Sequence, residues 1–119
     1  MKKLTLQEEE AMQVIWQMGG GVIKDFLEQL QEPRPPYTTL ASTVKNLEKK
    51  GYIKSRKTGN TFWYEPALPE SEYKRSFMSG FVEDYFKNSY KELVTFFAKD
   101  QKISPEELKE IINLIERKK

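Results

Sequence analysis

The sequence predicts a mainly α fold with one small β-hairpin: three short helices, the hairpin, and then a purely helical tail. Three observations carry that expectation. Apolar residues recur at helical spacing on both sides of one short region. That region, residues 52–65, is rich in β-formers and aromatics and holds the turn signal Thr58-Gly59-Asn60 at its middle. Pro66 and Pro69 then close it, and from Glu70 onward the chain is aromatic-rich and balanced in charge.

The first helix opens on Thr5-Leu6-Gln7-Glu8, which has the form of a capping box. Met12, Ile15 and Trp16 make its apolar face, and Gly19-Gly20-Gly21 ends it. Ile23, Phe26, Leu27 and Leu30 give the second helix a stripe at i, i+3, i+4 and i+7. Pro33, Pro35 and Pro36 forbid helix and set the angle at which the third begins. That third helix occupies residues 37–50 and stops at Gly51. Short connections among three such helices favour a trihelical core in which the third crosses the second. Residues 52–57 and 61–65 read as strands joined by a three-residue turn, with Gly59 or Asn60 taking positive φ. A trihelical core followed by a two-stranded hairpin is the winged helix-turn-helix arrangement, expected over residues 1–69.

In the tail, Tyr73, Phe77, Phe81 and Tyr85 mark a long helix whose face Met78, Val82 and Phe86 widen. Tyr90, Leu93, Val94 and Phe97 mark another. Ser104-Pro105-Glu106-Glu107 forms a second capping box, with Pro at the first helical position, and leads into Leu108, Ile111, Ile112 and Ile115. Roughly fifty residues with this aromatic load cannot bury it alone. A second identical chain about a two-fold axis is the economical solution. Residues 70–119 are therefore expected to be a helical dimerisation region. Its interface would hold Tyr73, Phe77, Phe81, Tyr85, Phe86, Leu93, Phe97, Leu108, Ile111, Ile112 and Ile115. Lining a ligand pocket is the other use of such a stripe, but no convergent polar groups accompany it.

Charge gives the first domain its chemistry. At about 100° per residue, Leu40, Val44 and Leu47 share one side of the third helix, with Thr38, Ser42, Lys45 and Lys49 opposite. A helix burying that apolar stripe presents hydroxyl and ammonium groups outward, the chemistry that reads base edges and phosphates. Across residues 37–64 the cations are Lys45, Lys49, Lys50, Lys54, Arg56 and Lys57, and Glu48 is the only anion. The whole chain carries a net charge of only +2, so its basic character is concentrated here. A solvated surface helix and a charged hairpin edge guarded against pairing are the alternatives. The helix, the hairpin and the upstream frame together favour phosphate contact. Phe62, Trp63 and Tyr64 would serve either as a platform for stacked bases or as packing on the small core. Alternation along the hairpin favours packing.

Composition excludes other classes. The 119 residues are 38% hydrophobic and 32% charged and contain neither Cys nor His. Disulfides and thiolate metal sites are ruled out, and the commonest general bases and nucleophiles are missing. No enzyme activity, metal or cofactor is expected; a carboxylate-only site would need an acidic cluster in a pocket. No apolar run approaches the roughly 20 residues of a membrane span. Met1-Lys2-Lys3-Leu4 leads into Gln7-Glu8-Glu9-Glu10 without a signal-peptide core. No membrane partner and a cytoplasmic location are the expectation.

With these pieces placed, the chain resembles the penicillinase-repressor (BlaI/MecI) family of bacterial transcriptional regulators. The residues that carry the likeness are Leu4-Thr5, Glu8, Ala11-Met12 and Ile15-Trp16, then Tyr37-Thr38-Thr39-Leu40, Ser42, Val44, Leu47 and Lys50-Gly51-Tyr52-Ile53. The resemblance implies a homodimeric repressor on a palindromic double-stranded DNA operator. By the same likeness, Thr38, Thr39 and Ser42 match the base-reading face, and Arg56, Lys57 and Asn60 match the wing. Lys45 joins them as a phosphate contact. In the resistance branch, a protease linked to a membrane sensor cuts a Leu-Val-x-Asn-Phe segment at Asn-Phe. The matching stretch here is Leu93-Val94-Thr95-Phe96-Phe97, so the implied cleavage site is Phe96–Phe97 with Phe96 in place of Asn. Dimer core is the plainer role for both phenylalanines. Ala41 stands where the resistance repressors carry a long basic residue, so their operator is not implied. The copper-responsive branch uses C-terminal cysteine pairs, which this chain lacks. The alternative is a winged-helix module whose partner is a protein or RNA.

Overall fold

In the computed structural model, which describes residues 2–117, the elements run α1 (Leu6–Met18), α2 (Ile23–Gln29), α3 (Tyr37–Lys49), β1 (Ile53–Thr58), β2 (Thr61–Pro66), α4 (Glu70–Phe86), α5 (Tyr90–Lys99) and α6 (Pro105–Arg117). Capping chemistry fixes the first start: the Glu8 N–H donates to Thr5 Oγ1 at 3.2 Å, and the Thr5 N–H donates to Glu8 Oε1 at 2.8 Å. The apolar stripes of α1, α2 and α3 then converge, burying Met12, Ile15, Phe26, Leu40, Val44 and Leu47 with Tyr52 and Ile53 from beyond the third helix. Leu30 joins this core from the C-cap position, one residue past the end of α2. Trp16 lies at the core edge, where its Nε1–H donates to the Leu68 carbonyl at 2.8 Å and ties the segment after the hairpin back to α1.

β1 and β2 pair antiparallel from Ile53↔Pro66 out to Thr58↔Thr61. Thr58 therefore belongs to the ladder, and the expected three-residue turn is a two-residue turn, Gly59-Asn60. Gly59 alone takes positive φ, at +64°. Positive φ at the first central residue lets a two-residue loop follow the right-handed twist of its strands. The hairpin also gains a partner that alternation did not reveal. Gly21 and Tyr64 exchange backbone hydrogen bonds of 2.9 and 2.8 Å, so the end of the glycine run docks on the free edge of β2. Gly20 sits beneath it at φ +143°, where a Cβ would meet Trp63 Nε1 and the Tyr64 carbonyl at 3.0 Å. The glycine run is a helix stop and a docking site at once.

Two compact units make up the chain, Met1–Lys74 and Arg75–Lys119, and the division falls inside α4. Tyr73, expected among the dimerisation aromatics, packs within the first unit. Its ring lies 5.3 Å from Trp16 and 5.8 Å, edge-on, from Tyr52, and its hydroxyl donates to Glu9. In the second unit, Ser89 caps α5 by accepting from the Glu92 N–H at 3.1 Å. Ser104 and Glu107 close the capping box at the start of α6 with bonds of 2.9 and 3.1 Å. Val82 is fully buried there, with Phe81, Phe86 and Leu93 half-buried.

Candidate nucleic-acid interface

The third helix starts on Pro36 with no capping side chain and no acidic residue in its first turn. Its first amides therefore face outward unpaired by any cap, at the positive end of the helix dipole. Leu40, Val44 and Leu47 hold the inner face in the core, and Thr38, Thr39, Ser42 and Lys45 stand exposed on the outer surface with Lys49. Thr43 is turned along the helix, its hydroxyl donating to the Thr39 carbonyl at 3.1 Å. Ala41 is half-buried and adds no reach.

On the wing, Arg56, Lys57 and Asn60 are all exposed, Asn60 at the tip. The side chains of this hairpin alternate. Ile53/Pro66, Ser55/Tyr64 and Lys57/Phe62 share one face, and Lys54/Glu65, Arg56/Trp63 and Thr58/Thr61 share the other. Ser55 Oγ donates to Glu48 Oε2 at 2.6 Å, joining the wing to the last turn of α3. Glu48, the one anion of the segment, is thus occupied by the scaffold.

Two of the six cations are engaged as well. Lys50 Nζ lies 2.6 Å from Glu8 Oε1 and donates to the Lys3 carbonyl at 2.9 Å. Lys54 lies 3.9 Å from Glu65. Among the described residues, Lys45, Lys49, Arg56 and Lys57 have no carboxylate partner and remain available to an anionic ligand. Burial raises the pKa of Glu8, but the Lys50 ammonium and the Thr5 N–H outweigh it and hold the carboxyl below its ordinary value. The Glu8–Lys50 pair fastens the end of α3 to α1. The Tyr52 hydroxyl donates to the Lys2 carbonyl beside it.

Of the tail residues, Phe77, Tyr85, Phe97, Ile111, Ile112 and Ile115 are exposed, and Phe81, Phe86, Leu93 and Leu108 are half-buried. Phe81 lies 5.9 Å from Phe86, which meets Phe96 edge-on at 5.8 Å. The Phe96–Phe97 bond lies inside α5. Exposed Met78, Tyr90, Val94 and Leu114 extend the apolar surface beyond the residues expected. Two features of the interface were missed: the Ser55–Glu48 bond, whose only sequence signal is a lone anion in a basic stretch, and the outward position of Phe62.

Three helices whose third presents a basic hydroxyl face, with a docked hairpin beside it, define a winged-helix protein. The geometry has a match among solved structures: the solution structure of the DNA binding domain of the repressor BlaI aligns with a TM-score of 0.53 and 30% identity, covering 61% of this chain and 94% of that domain. The family model described as "Penicillinase repressor" matches residues 4–117. The chain belongs to the penicillinase repressor family. Methicillin resistance regulatory protein MecI of Mammaliicoccus sciuri is 26% identical over 117 residues, covering 98% of this chain and 95% of that protein. The penicillinase repressor of Bacillus licheniformis is 26% identical over 113 residues, 94% of this chain and 88% of its own length. No helix among the described residues is long and apolar enough to cross a membrane.

Proposed function

We propose that this protein is a DNA-binding transcriptional repressor that acts as a homodimer on a palindromic operator. The observation that carries the reading is the exposed face of Thr38, Thr39, Ser42 and Lys45, standing beside a wing whose Arg56 and Lys57 have no carboxylate partner among the described residues. Hydroxyls at the start of α3 suit base edges, and the cations with Asn60 suit phosphates. The exposed apolar residues of α4, α5 and α6 support dimerisation through residues 75–117, since among the described residues these three helices bury only Val82 completely. Two recognition helices related by a two-fold axis enter successive major grooves, about 34 Å apart.

Release from DNA is read as loss of the tail by proteolysis. Cutting at Phe96–Phe97 detaches α6 and with it part of the apolar surface. A protease needs an extended substrate, so α5 must unwind locally first. The pocket must also be apolar, because one built to hydrogen-bond an amide leaves its polar groups unpaired against phenyl. The first test is binding of the full chain to duplex DNA across a salt series. A fall in log affinity proportional to log salt is expected. Salt-independent binding, or preference for RNA or a protein over duplex DNA, would refute the reading.

A further inference from the structure

Within the proposed DNA-binding reading, the wing has two chemically different faces, and only one of them overlooks the recognition helix. Ile53 and Tyr64 seal the base of that face onto the core, and Ser55 bonds to Glu48 of α3 in the middle. By alternation the next pair outward, Lys57 opposite Phe62, stands on the same side as Ser55, the side that meets α3. Phe62 keeps 48% of its surface exposed, and its ring lies 6.5 Å from that of Tyr64. Arg56 is paired with Trp63 on the opposite face, beside Val22.

Tyr64 belongs to the buried core and Phe62 does not. Phe62 also lies beside a cation, where a soluble hairpin has no need of an exposed aromatic. A helix seated in the major groove brings whatever overhangs its flank against the sugar-phosphate strand and the minor groove beyond it. We infer that Phe62 is a DNA-contacting residue: it packs on the deoxyribose wall at the minor-groove edge while Lys57 beside it binds the adjacent phosphate. The face then has two separable parts. Lys57 acts through charge and displaces a counterion. Phe62 acts through apolar contact and displaces none, so its effect does not depend on salt.

Affinity for operator DNA, or for any duplex the wild-type protein binds, should be measured across a salt series for Phe62→Ala, Phe62→Leu, Phe62→Gln and Lys57→Ala. Phe62→Ala and Phe62→Gln should weaken binding about tenfold at every salt concentration with the slope unchanged, and Phe62→Leu should recover most of the loss. Lys57→Ala should reduce the slope by about 0.9. Wild-type affinity in Phe62→Ala, or a changed slope in any Phe62 variant, would overturn the inference while leaving the DNA-binding reading intact. Should Phe62→Ala fail to fold, Phe62→Gln against Phe62→Leu carries the same comparison. A wild-type protein that binds no duplex defeats both.

Discussion

Glu8 is a capping residue that the fold uses twice. Its carboxylate accepts from the Thr5 N–H at the start of α1 and from Lys50 at the end of α3, so one side chain links the helix that begins the domain to the one that presents the interface. Its depressed pKa has a signed consequence. The stabilisation is complete above the unfolded carboxylate value, about 4.3, and is lost as pH falls through the lower folded value. Urea denaturation between neutral and acid pH should show that loss, and Glu8→Gln should flatten the acid limb and lower neutral stability by about 1–3 kcal/mol. An unchanged acid limb in the variant would mean that the pair contributes nothing. The exposed residues of α3 divide differently. Lys45→Ala should weaken binding to all DNA sequences alike and lower the salt slope by about one unit. Ser42→Ala should change which sequences are preferred, which a binding selection from a random DNA pool would read. Identical behaviour of the two variants would contradict this division between phosphate and base contact.

At the scale of elements, α6 is the sharpest case. It carries Ile111, Ile112, Leu114 and Ile115 exposed on a capped, well-formed helix, a surface that the proposed second copy would cover. Ile112→Asp should shift sedimentation at micromolar concentration from dimer towards monomer with helical content retained, since each such side chain buried in an interface contributes about 1.5–3 kcal/mol. A wild-type monomer at that concentration would contradict the proposed assembly. The helices themselves were legible, because each has an apolar stripe and most have a punctuating residue: Thr5, Gly19, Gly51 and Ser104 all act at the ends where they were expected. The hairpin was legible for the same reason, and the reading of its tip erred by one residue because Thr58 suits a turn and a strand equally well. What local pattern could not convey was tertiary. Tyr73 continues the spacing of Phe77 and Phe81, and nothing in that spacing reveals that its ring turns to Trp16. The bridge from Gly21 to Tyr64 joins positions far apart in sequence, and a glycine run looks the same whether or not a strand docks on it. At the interface, Arg56 and Lys57 were grouped together, whereas the strand register turns them to opposite faces and the Ser55–Glu48 bond shows which side overlooks α3.

For the whole molecule, the proposed function assigns DNA reading to the first compact unit and dimerisation to the second, with the division between them inside α4. Induction by loss of the tail should appear in intact cells as a shortened protein on an immunoblot once the target gene is switched on. A full-length protein throughout induction would rule cleavage out. Dimeric reading of a palindrome makes the stricter demand, because the two heads must meet the same side of the duplex. The most direct measurement is affinity for two DNAs that carry the selected half-sites, one with its native spacing and one with about five base pairs inserted between them, half a helical turn. The account predicts that the insertion turns the second half-site away and lowers affinity to near that of a single half-site, with the salt slope falling in step as phosphate contacts are lost. Equal affinity and equal slope on the two DNAs would contradict it.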